Sequence, residues 1–323
     1  MGTAPFACPT LQSLMASAHA LVAVVTQPDR PRGRGQKATA SAVKLVALEH
    51  HVPLLQPASL RQPEVLGTLA SYQPEVIIVV AYGNILPPTV LQLPPHGCIN
   101  LHASLLPKYR GAAPINWALM HGERVTGYTI IAMDAHVDTG PILHQESQPV
   151  TPDDDAVSVG RRLAAAGAQG MIQVLADLAQ GRLTPEPQPA LGASYAPKLT
   201  RDLGCLDWYR PAAVLHNLVR GLVPWPGAVT SWKGTAIKIW RTVVSAQESV
   251  ALPGTITALL PEGFCVACGE QQLCVREVQL ANRRRMSAQE FVQGYHVQPG
   301  DQFDHSSTPP ESPSDGLANP AHT

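Results

Sequence analysis

The chain has 323 residues, a formal net charge of −1 and 45% hydrophobic residues. This length allows two domains, and the near-neutral charge excludes a protein that coats nucleic acid through general basicity. No apolar run reaches the roughly 18 to 20 residues of a membrane helix, and the start lacks a basic signal segment, so we expect a soluble cytoplasmic protein with no membrane partner.

The first 150 residues alternate between short apolar runs and helical patterns, which is typical of an α/β domain with a Rossmann-like, mostly parallel sheet. Leu11, Leu14, Met15 and Ala18 repeat at helical spacing. The predicted strands cover residues 21–26, 76–81, 98–101 and 128–133, and further helices cover residues 41–50 and 114–121.

The chain opens directly on GTAPFA at residues 2–7 and the first helix, without the strand that should precede the first β-to-α turn. A sheet that lacks an inner strand leaves backbone groups unpaired, at a cost of about 1 to 3 kcal/mol for each buried group. We therefore expect an upstream strand or a truncated start.

The second half of the chain predicts a different architecture. An apolar stripe that includes Met171 and Val174 predicts a long helix over 155–179, and the Pro-rich segment that follows predicts a linker over 184–202. Short alternating strands at 228–232, 236–241, 254–259, 264–268 and 273–280 predict a small OB-like β-barrel. The predicted domains are therefore an α/β domain over 1–183 and a barrel over 203–303, with a disordered tail over 304–323.

The six cysteines, at positions 8, 98, 205, 265, 268 and 274, are scattered through a long chain, so reduced thiols fit better than a disulfide framework. Cys265 and Cys268 form a CxxC with Cys274 nearby. No second ligand pair follows at a suitable distance, so we interpret these cysteines as structural and expect no metal.

The most informative segment is NLHASLLPKYRG at 100–111, which leaves the strand at 98–101. Asn100 and His102 are two residues apart, so in an extended chain both side chains project from the same face. Asp138 lies in a Gly/Pro-bounded loop after the next strand, where a carboxylate can orient an imidazole. These residue types suit acyl transfer, although Asn and Asp are also common turn residues. Ser104 has no GxSxG elbow around it, so we interpret its hydroxyl as shaping the loop.

Two basic segments are candidates for nucleic-acid contacts. The loop 28–37 carries Arg30, Arg32, Arg34 and Lys37 with glycines between them, and the alternative is a solvated loop without a partner. The predicted barrel carries a second set, for which surface charge is the alternative, made up of Arg283, Arg284, Arg285, Lys233, Lys238 and Arg241.

NLHASLLPKYRG, AYGNILP at 81–87 and DTGPIL at 138–143 closely resemble the family that transfers formyl groups from 10-formyltetrahydrofolate. Four further segments, TQPDRPRGRGQK at 26–37, GTAPFA, LVPWPGA at 222–228 and MSAQEF at 286–291, resemble the branch of that family that acts on methionyl-tRNA. The resemblance extends over residues 1–300 and both predicted domains.

The resemblance implies a formyltransferase that uses 10-formyltetrahydrofolate as co-substrate and initiator methionyl-tRNA as acceptor; we also expect a monomer. It places Asn100, His102 and Asp138 on the family's catalytic positions, and Arg34 on a position associated with the tRNA acceptor end. The remaining tRNA-binding candidates are Arg30, Arg32, Lys37, Arg283, Arg284 and Arg285. The implied folate-binding residues are Ala81, Tyr82, Gly83, Ile85, Leu86, Pro87, Ser104, Leu105, Leu106 and Pro107.

Two alternatives remain open, namely a formyltransferase for another amine, such as glycinamide ribonucleotide or a nucleotide sugar, and a non-catalytic tRNA-binding fragment. The sequence also departs from the family pattern. GTAPFA lacks the proline that usually follows the threonine directly, and His136 stands where the family usually has glycine. If that position requires a positive φ, His136 strains the loop that carries Asp138.

Overall fold

The structure is a computed structural model that describes residues 1–32 and 37–304. Its contacts divide the chain into two units. The N-terminal unit contains residues 1–115, 124–152 and 158–198, and the C-terminal unit contains residues 116–123, 153–157 and the chain from 199 onward. The division at residue 198 falls within the predicted linker.

The N-terminal unit combines a sheet with helices on its faces. Its helices are α1 (Cys8–Met15), α2 (Ala42–Glu49), α3 (Pro63–Ser71), α4 (Pro88–Leu91), α5 (Pro114–Met120) and α6 (Ala156–Ala179), of which α5 and α6 extend into the C-terminal unit. Its strands are β1 (Val24–Val25), β2 (Arg30–Arg32), β3 (Lys37–Thr39), β4 (Leu54–Leu55), β5 (Ile77–Val80), β6 (Cys98–His102), β7 (Arg110–Gly111), β8 (Val125–Ala132), β9 (Ile142–Pro149) and β10 (Tyr195–Ala196). Strands β1 and β4 are parallel, and a four-stranded sheet has the order β5-β6-β8-β9.

The predicted Rossmann-like α/β class is confirmed, because β5 and β6 are parallel, as are β1 and β4. Strand β8 runs antiparallel to β6, and β9 runs antiparallel to β8. Strand β9 was not predicted from the sequence, because its central residues, HQES, do not alternate between apolar and polar side chains. Most of its side chains are partly or fully exposed. Helix α6 covers the predicted helix almost to the residue and buries Leu163, Met171 and Val174 as its apolar stripe.

Residues 1–3 lie between β1 and β5 and pair with both. The amide of Gly2 donates to Val25 at 2.9 Å, and the amide of Val80 donates to Met1 at 2.9 Å. The terminal amine donates to the carbonyl of Ile78 at 2.6 Å, and burial lowers its pKa to about 6. A cavity of about 490 Å³ adjoins this segment, lined largely by residues 19–25 and 72–78, which lead into β1 and β5. The expectation of an upstream strand stays a prediction.

The C-terminal unit is built on an antiparallel sheet. Its strands are β11 (Ala228–Trp232), β12 (Thr235–Ser245), β13 (Ile256–Leu260), β14 (Gly263–Ala267), β15 (Gln272–Leu280) and β16 (Met286–Ser287), and its helices are α7 (Ala212–Gly221) and α8 (Ala288–Tyr295). The order is β11-β12-β15-β14-β13, with β16 on β15. The five predicted strands are confirmed, with boundaries shifted by at most a few residues.

The chain from 301 to 304 joins the two edge strands of this sheet. The amide of Ile256 on β13 donates to Asp301 at 2.8 Å, and the amide of Asp304 donates to Ser231 on β11 at 2.9 Å. The Asp304 carboxylate also accepts from the Ser231 hydroxyl at 2.6 Å. Asp304 was predicted to begin the disordered tail, and this is wrong, because its side chain and backbone both pair with β11. The rest of the predicted tail, 305–323, lies outside the described residues.

The prediction that all six cysteines are reduced is also wrong. Cys265 on β14 lies directly opposite Cys274 on β15, and the two form a disulfide. Cys268, the other member of the CxxC, is buried as a free thiol whose pKa burial raises to about 12. The sequence could not reveal this pairing, because it depends on the register between two strands.

Candidate active site

The geometry of β6 places Asn100 and His102 on one face of the N-terminal sheet. The strand is central, paired with β5 on one side and β8 on the other, so its side chains alternate between the two faces. Both side chains contact the same carboxylate, that of Asp138. The predicted convergence of these three residues is therefore present in the structure.

Asp138 sits in the loop between β8 and β9 with a left-handed backbone, φ 55°. Its Oδ1 accepts from Nδ2 of Asn100 at 3.4 Å. Its Oδ2 accepts from the backbone amide of Gly111 at 2.8 Å and lies 3.4 Å from Nδ1 of His102. Three groups therefore converge on one carboxylate that is 15% exposed, and the 2.8 Å bond from Gly111 is the shortest of the three contacts.

The strain expected at His136 does not occur. The positive φ of this loop falls on Asp138, and His136 is not among the described residues with a positive φ. The amide of His136 donates to the Asp134 carboxylate at 2.9 Å, and this carboxylate also accepts from the Thr139 hydroxyl. The histidine at position 136 is thus accommodated in the turn without straining the backbone of Asp138.

The His102 ring lies between two acceptors and is only 6% exposed. Its Nε2 lies 2.9 Å from the carbonyl oxygen of Tyr109, and its Nδ1 faces Asp138. A carbonyl and a carboxylate both accept, so the ring satisfies both contacts when each nitrogen carries a proton. The 3.4 Å contact is longer than a normal hydrogen bond, which leaves the Nδ1 proton able to reach a substrate atom placed beside Asp138.

The AYGNILP segment leaves β5 beside His102. Val80 pairs with Leu101 in the parallel register, so the chain from Ala81 onward emerges next to the end of β6. Ala81 and Gly83 have positive φ. Tyr82 and Leu86 are buried in the core, whereas Ala81, Gly83 and Ile85 are exposed, with Ile85 79% exposed. The segment therefore offers backbone groups and one apolar side chain at the surface.

The second implied folate segment, residues 104–107, shapes the loop around β7. Ser104 is fully buried, and its hydroxyl donates to the carbonyl of Lys108 at 2.6 Å, in line with the predicted loop-shaping role. The Ser104 carbonyl accepts from the Thr129 hydroxyl on β8. Leu106 is buried, and Leu105 and Pro107 are half-buried.

The N-terminal basic loop is a two-stranded ribbon, in which β2 pairs antiparallel with β3. Arg30 is exposed. Arg34 and the side chains of Arg32 and Lys37 lie outside the described residues. At the base of the ribbon, the Asp29 carboxylate accepts from Lys44 at 2.6 Å and from Gln56 at 2.8 Å, and these bonds lower the pKa of Asp29.

In the C-terminal unit, basic side chains gather around Trp240 of β12. The Arg285 guanidinium lies 3.7 Å from the ring centroid and the Lys238 ammonium 5.4 Å from it. Burial lowers the pKa of Lys238, and nearby Arg201 and Arg285 lower it further. We call Lys238, Trp240 and Arg285 the Trp240 cluster. Arg284 instead pairs with Glu290 at 2.8 Å, and Arg283 is exposed.

Sequence reasoning missed several residues of these sites. It did not single out the backbone of Tyr109 and Gly111, although both contact the predicted triad. It also did not single out Trp240, whose ring two of the predicted basic side chains contact. An exposed arginine run beside an aromatic strand could have indicated Trp240.

Within the part of the chain that the structure describes, no group of three or more metal-binding side chains is present. Nor does any helix there have the length and apolarity needed to cross a membrane.

Comparison with known families matches both units. A model described as "Formyl transferase" matches residues 1–175, and one described as "Formyl transferase, C-terminal domain" matches residues 198–296. The first covers more than half of the chain. The match includes β6 and the Asp138 loop.

Curated relatives extend this similarity over almost the whole length. The chain is 47% identical to a methionyl-tRNA formyltransferase of Geobacter metallireducens, over 94% of this chain and 97% of the relative. It is 46% identical to one of Trichlorobacter lovleyi, over 91% and 93%. Among solved structures, an N-formyltransferase from Helicobacter canadensis in complex with folinic acid and dTDP-3-aminofucose matches with a TM-score of 0.64 at 15% identity, covering 86% of this chain and 97% of that one. At this identity the match supports the fold alone.

Proposed function

Because the chain belongs to the formyltransferase family, we propose that it transfers the formyl group of 10-formyltetrahydrofolate to the α-amino group of methionyl initiator tRNA. The acceptor is the one named for the relatives that share nearly half of its residues. Translation initiation takes place in the cytoplasm, so we infer the same location for this enzyme.

The observation that carries the proposal is the meeting of Asn100 and His102 at opposite oxygens of Asp138. If Asn100 and His102 served only the fold, one hydrogen bond each would be enough to satisfy them. Here an amide, an imidazole and a carboxylate gather on one face of a central strand, beside an exposed loop that follows β5. The same three residue types provide a donor for an oxyanion and a route for a proton.

In the reaction, the neutral α-amine attacks the formyl carbon, negative charge grows on the formyl oxygen, and the bond between that carbon and the folate nitrogen breaks. One proton leaves the amine and one reaches the departing nitrogen, so the overall reaction is proton-neutral. Asn100 donates through Nδ2 to the developing oxyanion, and the Nδ1 proton of His102 supports the same oxygen. Asp138 keeps His102 oriented and assists the transfer of the proton from the amine.

The loop at 81–87 fits a flat heterocyclic ring. A Cβ at Gly83 would lie 2.7 Å from Nε2 of Gln27, which itself donates to the carbonyl of Tyr82 at 2.9 Å. This tight packing favours glycine and keeps the loop backbone close to the end of β5. Ile85 adds an exposed apolar surface. Backbone groups with one apolar wall are what a pterin-like ring needs for orientation.

Two basic regions support tRNA as the acceptor. In sequence, the segment 28–37 contains four cationic residues, Arg30, Arg32, Arg34 and Lys37, of the types that contact phosphates. In the C-terminal unit, the Trp240 cluster combines an aromatic face with two cations, an arrangement that suits the backbone and bases of a single strand. Glycinamide ribonucleotide or a nucleotide sugar would require neither region.

The test is a formyl-transfer assay with 10-formyltetrahydrofolate and three acceptors: charged initiator tRNA, charged elongator methionyl-tRNA and glycinamide ribonucleotide. We expect turnover with the initiator and at least tenfold lower kcat/KM with the other two. Efficient formylation of glycinamide ribonucleotide would overturn the choice of acceptor. Absence of turnover with every acceptor, by a folded protein that binds tRNA, would support the non-catalytic alternative. Size-exclusion chromatography of the same sample would test the expected monomer.

A further inference from the structure

The Pro-rich segment after α6 pairs closely with the loops that carry the candidate catalytic residues. Glu186 and Ile142 exchange backbone hydrogen bonds of 2.7 and 2.9 Å. Further along, β10 is parallel to β7, and the Ser194 hydroxyl accepts from the amide of Tyr109 at 2.9 Å. The segment therefore contacts β9, which follows the Asp138 loop, and the chain at 109–111, whose Gly111 amide bonds the Asp138 carboxylate.

Gln188 makes the most specific of these contacts. Its Nε2 donates to the carbonyl oxygens of Asp138 and Gly140, each at 2.8 Å. Its Oε1 accepts from Arg110, at 3.2 Å from Nε and 2.6 Å from Nη2. Carbonyls only accept and a guanidinium only donates, so these partners also fix which end of the amide is oxygen. Both N–H groups and the oxygen of one half-buried side chain are thus in use.

These partners lie next to the groups that hold His102. Asp138 places its carboxylate 3.4 Å from Nδ1, while Tyr109, adjacent to Arg110, accepts from Nε2 at 2.9 Å. Gly111, on the other side of Arg110, donates its amide to Asp138 Oδ2. The Gln188 side chain therefore links the backbone of Asp138 to the side chain of Arg110, and these two residues belong to the segments that contact the imidazole from opposite sides.

The hydrogen bond from Gln188 also holds the backbone of Asp138. Aspartate tolerates the left-handed region better than most residues do, but that region is still less populated than the right-handed and extended regions, so the loop has other conformations to adopt if the Asp138 carbonyl loses its donor. A shift of about 1 Å at a catalytic group can cost about 100-fold in rate. The hydrogen bonds from Gln188 oppose that relaxation.

We propose that Gln188 is a positioning residue. It holds the loops that carry Asp138 and Arg110 in their places around His102 and does not touch the substrate. The proposal rests on the proposed function, because it assumes that Asp138 and His102 serve formyl transfer. It assigns a role in the reaction to the part of the predicted linker that lies in the N-terminal unit.

The experiment compares Gln188→Ala and Gln188→Glu in the full chain, with Gln173→Ala as the matched control. Gln173 lies on the exposed face of α6, where it bonds only Asp177 among the contacts seen. We expect kcat to fall about 10- to 100-fold in Gln188→Ala, with KM for both substrates within about threefold of wild type. Gln188→Glu retains an acceptor for Arg110 but sets a carboxylate oxygen against two carbonyls, so its kcat should fall at least as far.

A double-mutant cycle separates positioning from a general structural effect. In an Asp138→Asn background, where the carboxylate charge is already absent, Gln188→Ala should cost less than about threefold in kcat. An equal loss in both backgrounds, or kcat within twofold of wild type in either Gln188 variant, would overturn the proposal. If Gln188→Ala does not fold, Gln188→Glu takes its place in the cycle. Inactivity of wild type and the Gln173 control together would instead contradict the proposed function.

Discussion

Asp138 holds a left-handed backbone while its Oδ2 lies 3.4 Å from Nδ1 of His102. Asp and Asn are the residue types, apart from glycine, that most readily adopt this backbone region. Replacing Asp138 by asparagine therefore removes the negative charge without adding backbone strain. The effect of the charge can then be measured apart from the effect of the loop conformation.

We expect Asp138→Asn to lower kcat for formyl transfer by about 100- to 10,000-fold, the range for loss of an acid/base group. The asparagine keeps the backbone preference and an oxygen for the Gly111 amide, so thermal unfolding should change little. Steady-state kinetics and a thermal melt measure the two effects. The matched control is Asp153→Asn at an exposed turn, which should keep wild-type kcat. A variant at residue 138 with near-normal kcat would remove the carboxylate from the mechanism.

Asn100→Ala should lower kcat about 100- to 1000-fold, as loss of one oxyanion donor does. The dissociation constant for the folate, measured by fluorescence quenching, should stay within a few-fold of wild type, because the donor acts on charge that develops only during the reaction. Circular dichroism of the variant is the control for folding. A rise in KM with unchanged kcat would show instead that Asn100 contributes to ground-state binding.

Much of this site is predictable from the sequence, and the reasons are local. The period of two in an extended strand already places Asn100 and His102 on one face. The Gly/Pro-bounded loop after a strand made Asp138 a candidate, and the likeness in DTGPIL then placed it on a catalytic position of the family. The contacts of Gln188 could not be predicted, because they join Arg110 to a residue 78 positions away. Prolines exclude helix from that segment, but they give no information on which side chains reach across to a loop.

The C-terminal unit shows the same limit. Alternating apolar residues predict its strands, since each strand has one buried face. The pairing of Cys265 with Cys274 depends on a register that alternation does not encode. Phe303 lies in a polar-looking end of the chain, and only the fold reveals that it fills the core.

Arg34→Ala should weaken tRNA binding and make its salt dependence shallower. Each phosphate contact adds about 0.7 to 0.9 to the slope of log affinity against log salt concentration, so loss of one contact should reduce the slope by about 1. Filter binding with charged initiator tRNA at several salt concentrations measures it. Arg61→Ala, an exposed arginine outside the basic loop, is the control and should keep the wild-type slope. An unchanged slope in Arg34→Ala would exclude this residue from the phosphate contacts.

Arg285→Ala should also weaken tRNA binding, and Arg285→Lys should restore only part of it. The guanidinium lies 3.7 Å from the Trp240 centroid, where its planar shape stacks and a lysine ammonium cannot. We expect KM for tRNA to rise several-fold while KM for the folate stays the same. Arg182→Ala, which removes an exposed arginine paired with Asp177 in the N-terminal unit, is the control. Equal affinity in Arg285→Ala and wild type would show that the Trp240 cluster is only surface charge.

Phe303→Ala should destabilise the C-terminal unit by about 3 to 5 kcal/mol, the usual cost of removing a buried phenylalanine ring. The ring is 1% exposed, stacks on Trp208 at 5.2 Å and meets Trp232 edge-on at 5.2 Å. Urea unfolding followed by tryptophan fluorescence reports on this unit, because two tryptophans contact the ring directly. Val250→Ala, at a fully exposed position of the same unit, should change the free energy of unfolding by less than about 0.5 kcal/mol. If the two variants unfold at the same urea concentration, Phe303 does not anchor the segment that joins β13 to β11.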